Sequence, residues 1–448
     1  MDMHFFLEKV SGKLRGSGLL AGVLLGMVSL ASAADYSLIY TGLHDGDPVY
    51  GINASLEPSP FSNADNYSII ASGDDSGTYE NVRSYAYGIF SENVVDIDSS
   101  GNISLIATGG TATSLDYARA QARAYGIETK GSVTNSGDIS VDANGGSAAS
   151  GAESSRSLAS ATAGGIMVSE PSEGLLTNSG NVTVSATGGV ATITGDYASA
   201  GAGAQALASG ITSQSTAGVL SSSGAITVAA VGGSATAGEG IGAYAYAYAD
   251  AVGLYSAGTV DNSSSVVVAA TGGTATAGAA ANAEIDAVGM DADGNVTNSA
   301  EIVLNANGGT ATAAEFAEAD VDAYGIYSSG DVDNSGGIDV TATGGTATAG
   351  GEADAYVEAY GIGSAGAVNN SGAIAVAATG GTATAEFFAF ASAEVFGIDA
   401  SGAVDNSGAI DVTAKGGDSS SESGYADHEA EAYGISSESG DVINTGSI

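Results

Sequence analysis

The sequence contains no cysteine, no tryptophan and only 4 prolines among its 448 residues. The absence of cysteine excludes a disulfide framework, thiol chemistry and a lipid anchor on an N-terminal cysteine. Three of the prolines lie within residues 34–65, and only Pro171 follows them. This scarcity is typical of stacked strands, because proline cannot donate a ladder hydrogen bond.

Basic residues are also scarce, since 9 Lys and Arg stand against 51 Asp and Glu and give a formal net charge of −42. No basic residue occurs between Arg156 and Lys415. Such a surface repels nucleic acid and anionic membranes, so we expect neither as a partner. High net charge often indicates disorder, but a hydrophobic content of 44% with periodic Ile, Val and Ala argues against it here.

The first 33 residues have the pattern of an export signal peptide. Three basic residues precede an apolar stretch at residues 18–30, and a small-residue cleavage site ends at Ala33. The apolar stretch is too short to span a bilayer as a stable helix, although an uncleaved anchor is the alternative. The chain is therefore predicted to be exported, and to lie at the cell surface, associated with an outer membrane, or in the extracellular space.

A pair of adjacent glycines recurs along the chain and, from Gly272 to Gly416, does so every 36 residues. A fixed period of this length indicates one supersecondary unit that is repeated. We predict a repeat array over residues 66–448 that ends in mid-repeat, preceded at residues 34–65 by an N-terminal cap or leader. The first glycines of the pairs are Gly109, Gly145, Gly188, Gly232, Gly272, Gly308, Gly344, Gly380 and Gly416.

Apolar and polar residues alternate within each repeat, as in the run from Ile338 to Ala342, and no stretch has a helical period. This predicts an all-β fold, a right-handed parallel β-solenoid (β-helix) of about ten 36-residue repeats. The pattern leaves open whether each repeat forms one large coil or two unlike small coils. The half from Gly-Ile to the double glycine has a constant length in most repeats, whereas the Ala-rich half is longer in three of them. We therefore predict that the Ala-rich half forms a side of the coil or a protrusion and accepts insertions, at residues 146–165, 189–210 and 233–253.

The strongest motif is Asn-Ser-Gly-x-Ile, which begins at Asn135, Asn334, Asn370 and Asn406. In stacked coils, equivalent Asn side chains lie roughly 4.8 Å apart, so their amides can hydrogen-bond along a column. Asn and Gly also tolerate the left-handed backbone that a sharp corner can require. The motif therefore predicts a structural ladder at a corner of the coil.

Aromatic residues recur in two settings. One precedes Gly-Ile in many repeats and predicts a stacked column that either shields a corner or binds sugar. Others form clusters in long Ala-rich segments, and these we predict to protrude and contact a partner. The first set is Tyr87, Tyr125, Tyr324, Tyr360, Phe396 and Tyr433, and the second is Tyr244, Tyr246, Tyr248, Phe387, Phe388 and Phe390.

Thr-Ala-Thr follows the double glycine in four repeats, beginning at Thr274, Thr310, Thr346 and Thr382. Ranked threonines resemble an ice-binding face, but threonine is also simply a good strand residue.

Repeated acidic residues could bind calcium through carboxylate oxygens, although the nonapeptide Gly-Gly-x-Gly-x-Asp of calcium β-rolls is absent. Beyond residue 33, the only histidines are His44 and His428, and neither belongs to a triad pattern. No acidic pair is unique enough for glycoside chemistry. We therefore predict no enzyme activity and no catalytic, cofactor-binding or metal-binding residue. The repeated acidic residues include Asp331, Asp333, Asp339, Asp405 and Asp411.

The repeat resembles those of autotransporter passenger domains, the exported part of type V secretion proteins in Gram-negative bacteria. The similarity rests on Gly325-Ile326, Val332, Asn334-Ser335-Gly336 and Ile338, and similar segments cover about residues 85–448. It implies a right-handed parallel β-helix at the cell surface, most often an adhesin or stalk. It also implies a C-terminal outer-membrane barrel as translocator. The sequence to Ile448 has no such strands, so we expect either a fragment or another export route.

These observations predict a surface-exposed or secreted, non-enzymatic β-helix passenger that acts as an adhesin-like protein or structural stalk. Its expected partners are a host, neighbouring-cell or polysaccharide surface, and we expect no membrane insertion by this segment. The alternatives are an ice-binding or calcium-binding β-solenoid and a polysaccharide-active β-helix enzyme.

Overall fold

A computed structural model of the chain describes residues 35–43, 48–57, 59–74, 80–151, 155–169, 175–194 and 200–448. Within these residues the strands form four parallel sheets, and the only helix is a single 3₁₀ turn, Ala54–Leu56. The all-β parallel solenoid predicted from the sequence is confirmed, with a spacing of about 36 residues. The predicted signal peptide and His44 lie outside the described residues.

Away from the two ends of the stack, each described repeat forms one coil of four strands. In one coil these are Phe316–Ser328, Val332–Asn334, Ile338–Thr343 and Thr346–Ala349. The next coil begins at Glu352, which pairs directly with Phe316 in a parallel register. The question that the sequence left open is thereby answered, because one large coil uses the whole repeat.

Two of the sheets contain 11 short strands each. The Ile-Val sheet consists of Asp35–Leu43, Asn66–Gly73, Ile103–Thr108, Ile139–Asn144, Val182–Thr187, Ile226–Val231, Val266–Thr271, Ile302–Asn307, Ile338–Thr343, Ile374–Thr379 and Ile410–Lys415. The Asn sheet consists of Phe61–Asn63, Ile97–Ser99, Val133–Asn135, Leu176–Asn178, Val219–Ser222, Thr259–Asn262, Val296–Asn298, Val332–Asn334, Val368–Asn370, Val404–Asn406 and Val442–Asn444.

The other two sheets differ strongly in strand length, with 9 short strands in one and 11 longer strands in the other. The Thr sheet consists of Thr111–Ser114, Ser147–Ser150, Val190–Ile193, Ser234–Thr236, Thr274–Ala277, Thr310–Ala313, Thr346–Ala349, Thr382–Ala385 and Asp418–Ser421. The long-strand sheet consists of Pro48–Asn53, Asn81–Phe90, Tyr117–Thr129, Arg156–Val168, Gly201–Ser213, Tyr244–Ser256, Ala280–Ala292, Phe316–Ser328, Glu352–Ser364, Phe388–Ala400 and Tyr425–Ser437.

Residues 34–65, for which the sequence predicts a cap or leader, contain the first strand of three of these sheets. Asp35–Leu43, Pro48–Asn53 and Phe61–Asn63 each pair in parallel with the coil that follows.

Two separate apolar clusters fill the interior of the coils. The larger cluster is rich in Ile, Val and Leu, and includes Ile326 of a long strand and Ile338 of the Ile-Val sheet. The second is almost entirely alanine and joins the Thr sheet, for example at Ala311, to the first half of the long strands at Ala317 and Ala319. Because each alanine buries little apolar area, stability in this half depends on many coils packing together.

The double glycine lies between the Ile-Val and Thr strands, where the backbones of successive coils lie very close together. A Cβ atom on Gly308 would lie 2.1 Å from the backbone nitrogen of Gly345, so no side chain fits there. Close approach also explains the glycine of Asn-Ser-Gly, since a Cβ on Gly336 would lie 1.8 Å from the carbonyl oxygen of Ala300. Among the described glycines only Gly242 has a positive φ, so the left-handed corner suggested by the sequence is wrong.

The predicted asparagine ladder is confirmed. Asn298 donates from Nδ2 to Oδ1 of Asn334 at 2.8 Å, and Asn334 donates in the same way to Asn370 at 2.7 Å. The same Nδ2 of Asn334 also donates to the carbonyl oxygen of Gly336 at 2.9 Å, which closes the corner. Serine replaces asparagine at Ser99 and Ser222. Each buried hydrogen bond between two amide side chains contributes about 0.5–1.5 kcal/mol net, so the ladder stabilises this corner wherever successive coils carry asparagine.

Of the two forms predicted for the Ala-rich half, a side of the coil or a protrusion, the structure has the side, because this half forms the 13-residue strands of the long-strand sheet. Their alternate alanines point inwards and are buried. In three of the longer repeats, extra residues fall between the Thr strand and the long strand that follows it. Seven residues separate Thr236 from Tyr244, whereas two separate Ala277 from Ala280.

Candidate functional site

The outer face of the long-strand sheet is the broadest surface of the solenoid. Its 11 strands, most of them 13 residues long, span roughly 40 Å across the coils and roughly 50 Å along the stack. Outward side chains alternate with buried ones along each strand, and the parallel register aligns them in columns. Each column on this face therefore presents one outward side chain from every coil.

Charge on this face is segregated along the stack. Six basic residues follow the predicted signal peptide, and four of them point outwards from three successive long strands near the N-terminal end. From Tyr244 onwards the outward positions on this face carry aromatic, acidic and small residues and no basic residue. The four basic residues are Arg83, Arg119, Arg123 and Arg156.

A pocket of about 290 Å³ lies between two of these arginines, Arg119 and Arg156, and the strand that begins at Tyr244. We name it the Arg–Tyr pocket. It combines two guanidinium groups, three phenol rings and a small apolar floor. Its lining residues are Tyr117, Arg119, Arg156, Ser157, Leu158, Gly201, Tyr244 and Tyr246.

Two glycines in one strand create this pocket. A Cβ atom on Gly201 would have no heavy atom within 4 Å, so the position is open space. A Cβ on Gly203 would lie 2.3 Å from Cζ of Tyr246, which shows that the phenol ring lies across this glycine. The two glycines thus leave a gap between side chains on the outer face of the sheet, and the ring of Tyr246 from the following coil lies over part of it.

The polar groups of the Arg–Tyr pocket are incompletely paired. Nε of Arg119 is buried and has no hydrogen-bond partner. Neither Arg119 nor Arg156 forms an ion pair with a carboxylate in the part of the chain that the structure describes. Burial raises the pKa of Tyr246 above its ordinary value, and the charges of Arg156 and Arg119 oppose that rise, which indicates that all three groups interact. The pocket can therefore donate hydrogen bonds to an anion.

A ladder of carboxylates occupies a single column further along the same face. One acidic residue from each of six successive coils stands in register. Burial, together with the neighbouring carboxylate of Asp286, raises the pKa of Asp250 to about 7. Burial and the carboxylate of Glu358 similarly raise the pKa of Asp322 to about 6. The carboxylate ladder comprises Asp250, Asp286, Asp322, Glu358, Glu394 and Glu431.

The neighbouring columns contain further carboxylates, which add to the negative charge around the ladder. Burial and the adjacent Glu318 raise the pKa of Asp320, and burial together with Glu352 raises that of Asp354 to about 6. Even so, no group of three or more His, Cys, Asp or Glu side chains is placed to hold a metal ion among the described residues.

The acidic residues that the sequence offered as possible calcium ligands are not brought together. Asp333 and Asp405 both pair with Asn369, which lies between them, so they are two coils apart. Asp339 and Asp411 are likewise separated by Ala375.

The aromatic column before Gly-Ile is confirmed in two segments. Tyr324, Tyr360, Phe396 and Tyr433 stack with ring-centroid distances of 4.6, 4.8 and 4.8 Å. A shorter segment joins Tyr50, Tyr87 and Tyr125 at 5.3 and 5.7 Å. Small or aliphatic residues separate the segments, namely Gly164, Ser209, Val252 and Val288.

The second aromatic set does not lie on protrusions, contrary to the prediction. Tyr244, Tyr246 and Tyr248 are outward residues of the strand Tyr244–Ser256, and Phe390 lies in Phe388–Ala400. Alternation with buried alanines places them on the sheet itself. Two of the three tyrosines line the Arg–Tyr pocket.

The threonines form an ordered array on the opposite side of the coils. In the four coils from Thr274 to Thr384 the two threonines of each strand point outwards and pair in register. Ser234 and Asp418 replace the first threonine in the flanking coils. The array thus spans four coils, roughly 14 Å, and this small extent favours threonine as a solvent-facing strand residue.

A larger groove of about 550 Å³ lies at the N-terminal corner of the Ile-Val sheet. Its polar side chains are used within the fold. Asn66 donates to Asp35 at 2.7 Å, and Oδ1 of Asn66 accepts from the backbone of Asn102 at 2.8 Å. In the same way, Oδ1 of Asn102 accepts from the backbone N–H of Asp138 at 2.9 Å. The polar residues that line this groove therefore form a second ladder of hydrogen bonds. In the Arg–Tyr pocket, by contrast, Nε of Arg119 has no hydrogen-bond partner.

The Arg–Tyr pocket is not predicted by the sequence. Its residues lie in four different strands, and the shape depends on the absence of side chains at Gly201 and Gly203. The sequence did contain one indication, because all but one of the basic residues beyond residue 33 fall between Arg83 and Arg156, both included.

Comparison of the chain with protein-family models, with curated proteins and with solved structures gives no match. Among the residues that the structure describes, no helix has the length and apolar character needed to cross a membrane.

Proposed function

We propose that this chain is a surface-exposed or secreted, non-enzymatic β-helix passenger, adhesin-like in function, whose stacked coils serve as a stalk. Its contact surface is the outer face of the long-strand sheet. The observation that carries this proposal is the Arg–Tyr pocket, where aromatic rings and unpaired guanidinium groups are displayed on an otherwise acidic molecule. Export is supported by the signal-like pattern of the first 33 residues.

The repeat architecture suits a protein that binds a partner through a large, rigid face. Every coil is hydrogen-bonded to the coils before and after it in the same register, so the face has a fixed geometry over all 11 long strands. A preorganised face loses little conformational entropy on binding. Its estimated area, roughly 2,000 Å², exceeds the roughly 800 Å² that one partner contributes to a standard interface.

Attachment of beads that carry residues 34–448 tests this proposal. We expect such beads to be retained on polysaccharide-coated surfaces or on cell monolayers, and retention to fall at least about fivefold when Tyr117, Tyr244 and Tyr246 are replaced by serine. The matched control replaces Thr310, Thr346 and Thr382 by serine on the opposite side of the coils and should retain attachment. Failure to attach to any of these surfaces would contradict the adhesin-like function.

A further inference from the structure

The Arg–Tyr pocket has the composition of a site for a charged sugar. Building on the adhesin-like function, we propose that it binds a saccharide residue that carries a carboxylate or sulfate group. Three features carry this inference, namely the aromatic walls, the unpaired guanidinium groups and the size of the opening.

The aromatic walls provide amphipathic contact surfaces. The rings of Tyr244 and Tyr246 lie with centroids 5.8 Å apart and planes inclined by 31°, and Tyr244 is 41% exposed. Tyr117 lines the same pocket from three coils earlier. A phenol ring offers an apolar face to the C–H groups of a sugar, while its hydroxyl can bond to the sugar's hydroxyls. The rings thus suit a ligand with alternating apolar and polar groups.

The arginines supply the preference for an anion. Arg119 and Arg156 both line the pocket, and Nε of Arg119 is a buried donor without a partner. A guanidinium group binds a carboxylate or sulfate through two parallel hydrogen bonds, which satisfies such a donor. In a chain of net charge −42, four arginines of this face lack a carboxylate partner among the described residues, and Arg119 and Arg156 are the two that line the pocket. The Nε atoms of Arg83 and Arg123 are also buried and unpaired, but neither arginine lines the pocket. Long-range repulsion is screened beyond about 10 Å at 0.1 M salt, so the local charges dominate binding.

The dimensions of the pocket favour a small ring over a folded partner. Its volume of about 290 Å³ is at the lower end of ligand pockets, which span about 300–1,000 Å³. The open position at Gly201 leaves room for a ring to enter. The charges would also allow the carboxylate ladder of a second copy of the chain to occupy the pocket. Measurements of sugar binding and of dimerisation together distinguish these two occupants.

Calorimetric titration of residues 34–448 with three hexasaccharides tests the proposal. The probes are a galacturonic acid oligomer, a sulfated heparin-derived oligomer and neutral maltohexaose. We expect binding of at least one charged oligomer, at least about tenfold stronger than binding of maltohexaose. Arg119→Gln, Arg156→Gln and Tyr246→Ala should each weaken that binding at least about tenfold. Gly201→Val should abolish it while leaving the circular dichroism spectrum unchanged, because the added side chain fills open space.

The matched control is Arg123→Gln, an arginine on the same sheet whose guanidinium carbon lies 5.3 Å from the Tyr85 ring centroid, outside the pocket. It should change affinity less than twofold. Equal weakening by Arg123→Gln would overturn the proposal in favour of diffuse charge attraction. Absence of binding to both charged oligomers, with beads still attaching, would overturn it but leave the adhesin-like function intact. Dimerisation that Arg156→Gln abolishes, without sugar binding, would assign the pocket to a second copy and overturn it as well.

Discussion

Replacement of Gly308 by alanine should disrupt the stack severely, although it adds only one methyl group. The new Cβ would lie 2.1 Å from the backbone nitrogen and 2.4 Å from Cα of Gly345 in the next coil. Both are backbone atoms, so relief requires movement of the whole coil and loss of ladder hydrogen bonds. We expect a loss of more than about 4 kcal/mol in the free energy of unfolding, measured by urea denaturation of residues 34–448.

Gly337→Ala is the matched control, because a Cβ at that glycine meets no heavy atom within 4 Å. Its effect should stay within about 0.5 kcal/mol. If the two variants were equally stable, the close approach of the coils at the double glycine would be disproved. The comparison isolates steric contact, since both changes add one methyl group to a glycine, and the two glycines lie in successive coils.

The solenoid should be more stable at pH 5 than at pH 8, the reverse of ordinary acid denaturation. Burial raises the pKa of Asp250 from 3.8 to about 7 and that of Asp322 to about 6. The folded protein therefore binds more protons than the unfolded chain between about pH 4 and pH 7. Since stability falls with pH wherever the folded state holds more protons, it should decrease across this window. Thermal denaturation at pH 5 and pH 8 should give a melting temperature several degrees higher at pH 5.

The pH dependence originates in groups that face one another across coils. Asp322 is flanked in its column by Asp286 and Glu358, and its pKa is also raised by Glu284. Asp322→Asn should therefore raise stability at pH 8 and flatten the profile. Asp339→Asn, which alters an exposed carboxylate on the Ile-Val sheet, is the control and should leave the slope unchanged. A profile that rises steadily from pH 5 to pH 8 in the unaltered protein would contradict this account of the carboxylate ladder.

The fold could be predicted because the same residue pattern recurs at a fixed spacing, which indicates that successive coils stack in register. The 36-residue step, the alternation around Ile338 and the recurring Asn334 motif all require equivalent residues to lie in columns. Each column is then stabilised by like side chains, amide with amide or ring with ring. The asparagine ladder and the aromatic column follow directly from this stacking.

The placement of the Ala-rich half could not be predicted in the same way. Its outward residues range from Gly203 to Tyr246 to Glu318, so the chemical alternation that marks a strand is weak there. Length variation is compatible with a side of the coil or with a protrusion, and in one long repeat the extra residues lie between Thr236 and Tyr244. Only the pairing of whole strands, as in Phe316 with Glu352, shows that alternate alanines form a second core.

The carboxylate ladder and the Arg–Tyr pocket depend on register in different ways. The ladder is visible in the sequence as a 36-residue spacing from Asp250 to Asp286 to Asp322, but burial of its carboxylates is not. The pocket has no such spacing, because neighbouring coils contribute unlike residues, with Arg119 and Tyr246 in one column on either side of Gly203. Because the pocket is formed by residues that differ from one repeat to the next, the repeat pattern of the sequence does not reveal it.

Distances between paired spin labels test the stacking of one coil per repeat most directly. The chain has no cysteine, so labels attach only where cysteine is introduced. With one label at Thr113 and the second at Thr276, Thr312, Thr348 or Thr384, all in one column of the Thr sheet, each added repeat should lengthen the distance by about 4.8 Å. An increment near twice that value, or distances that do not grow with repeat number, would contradict the fold.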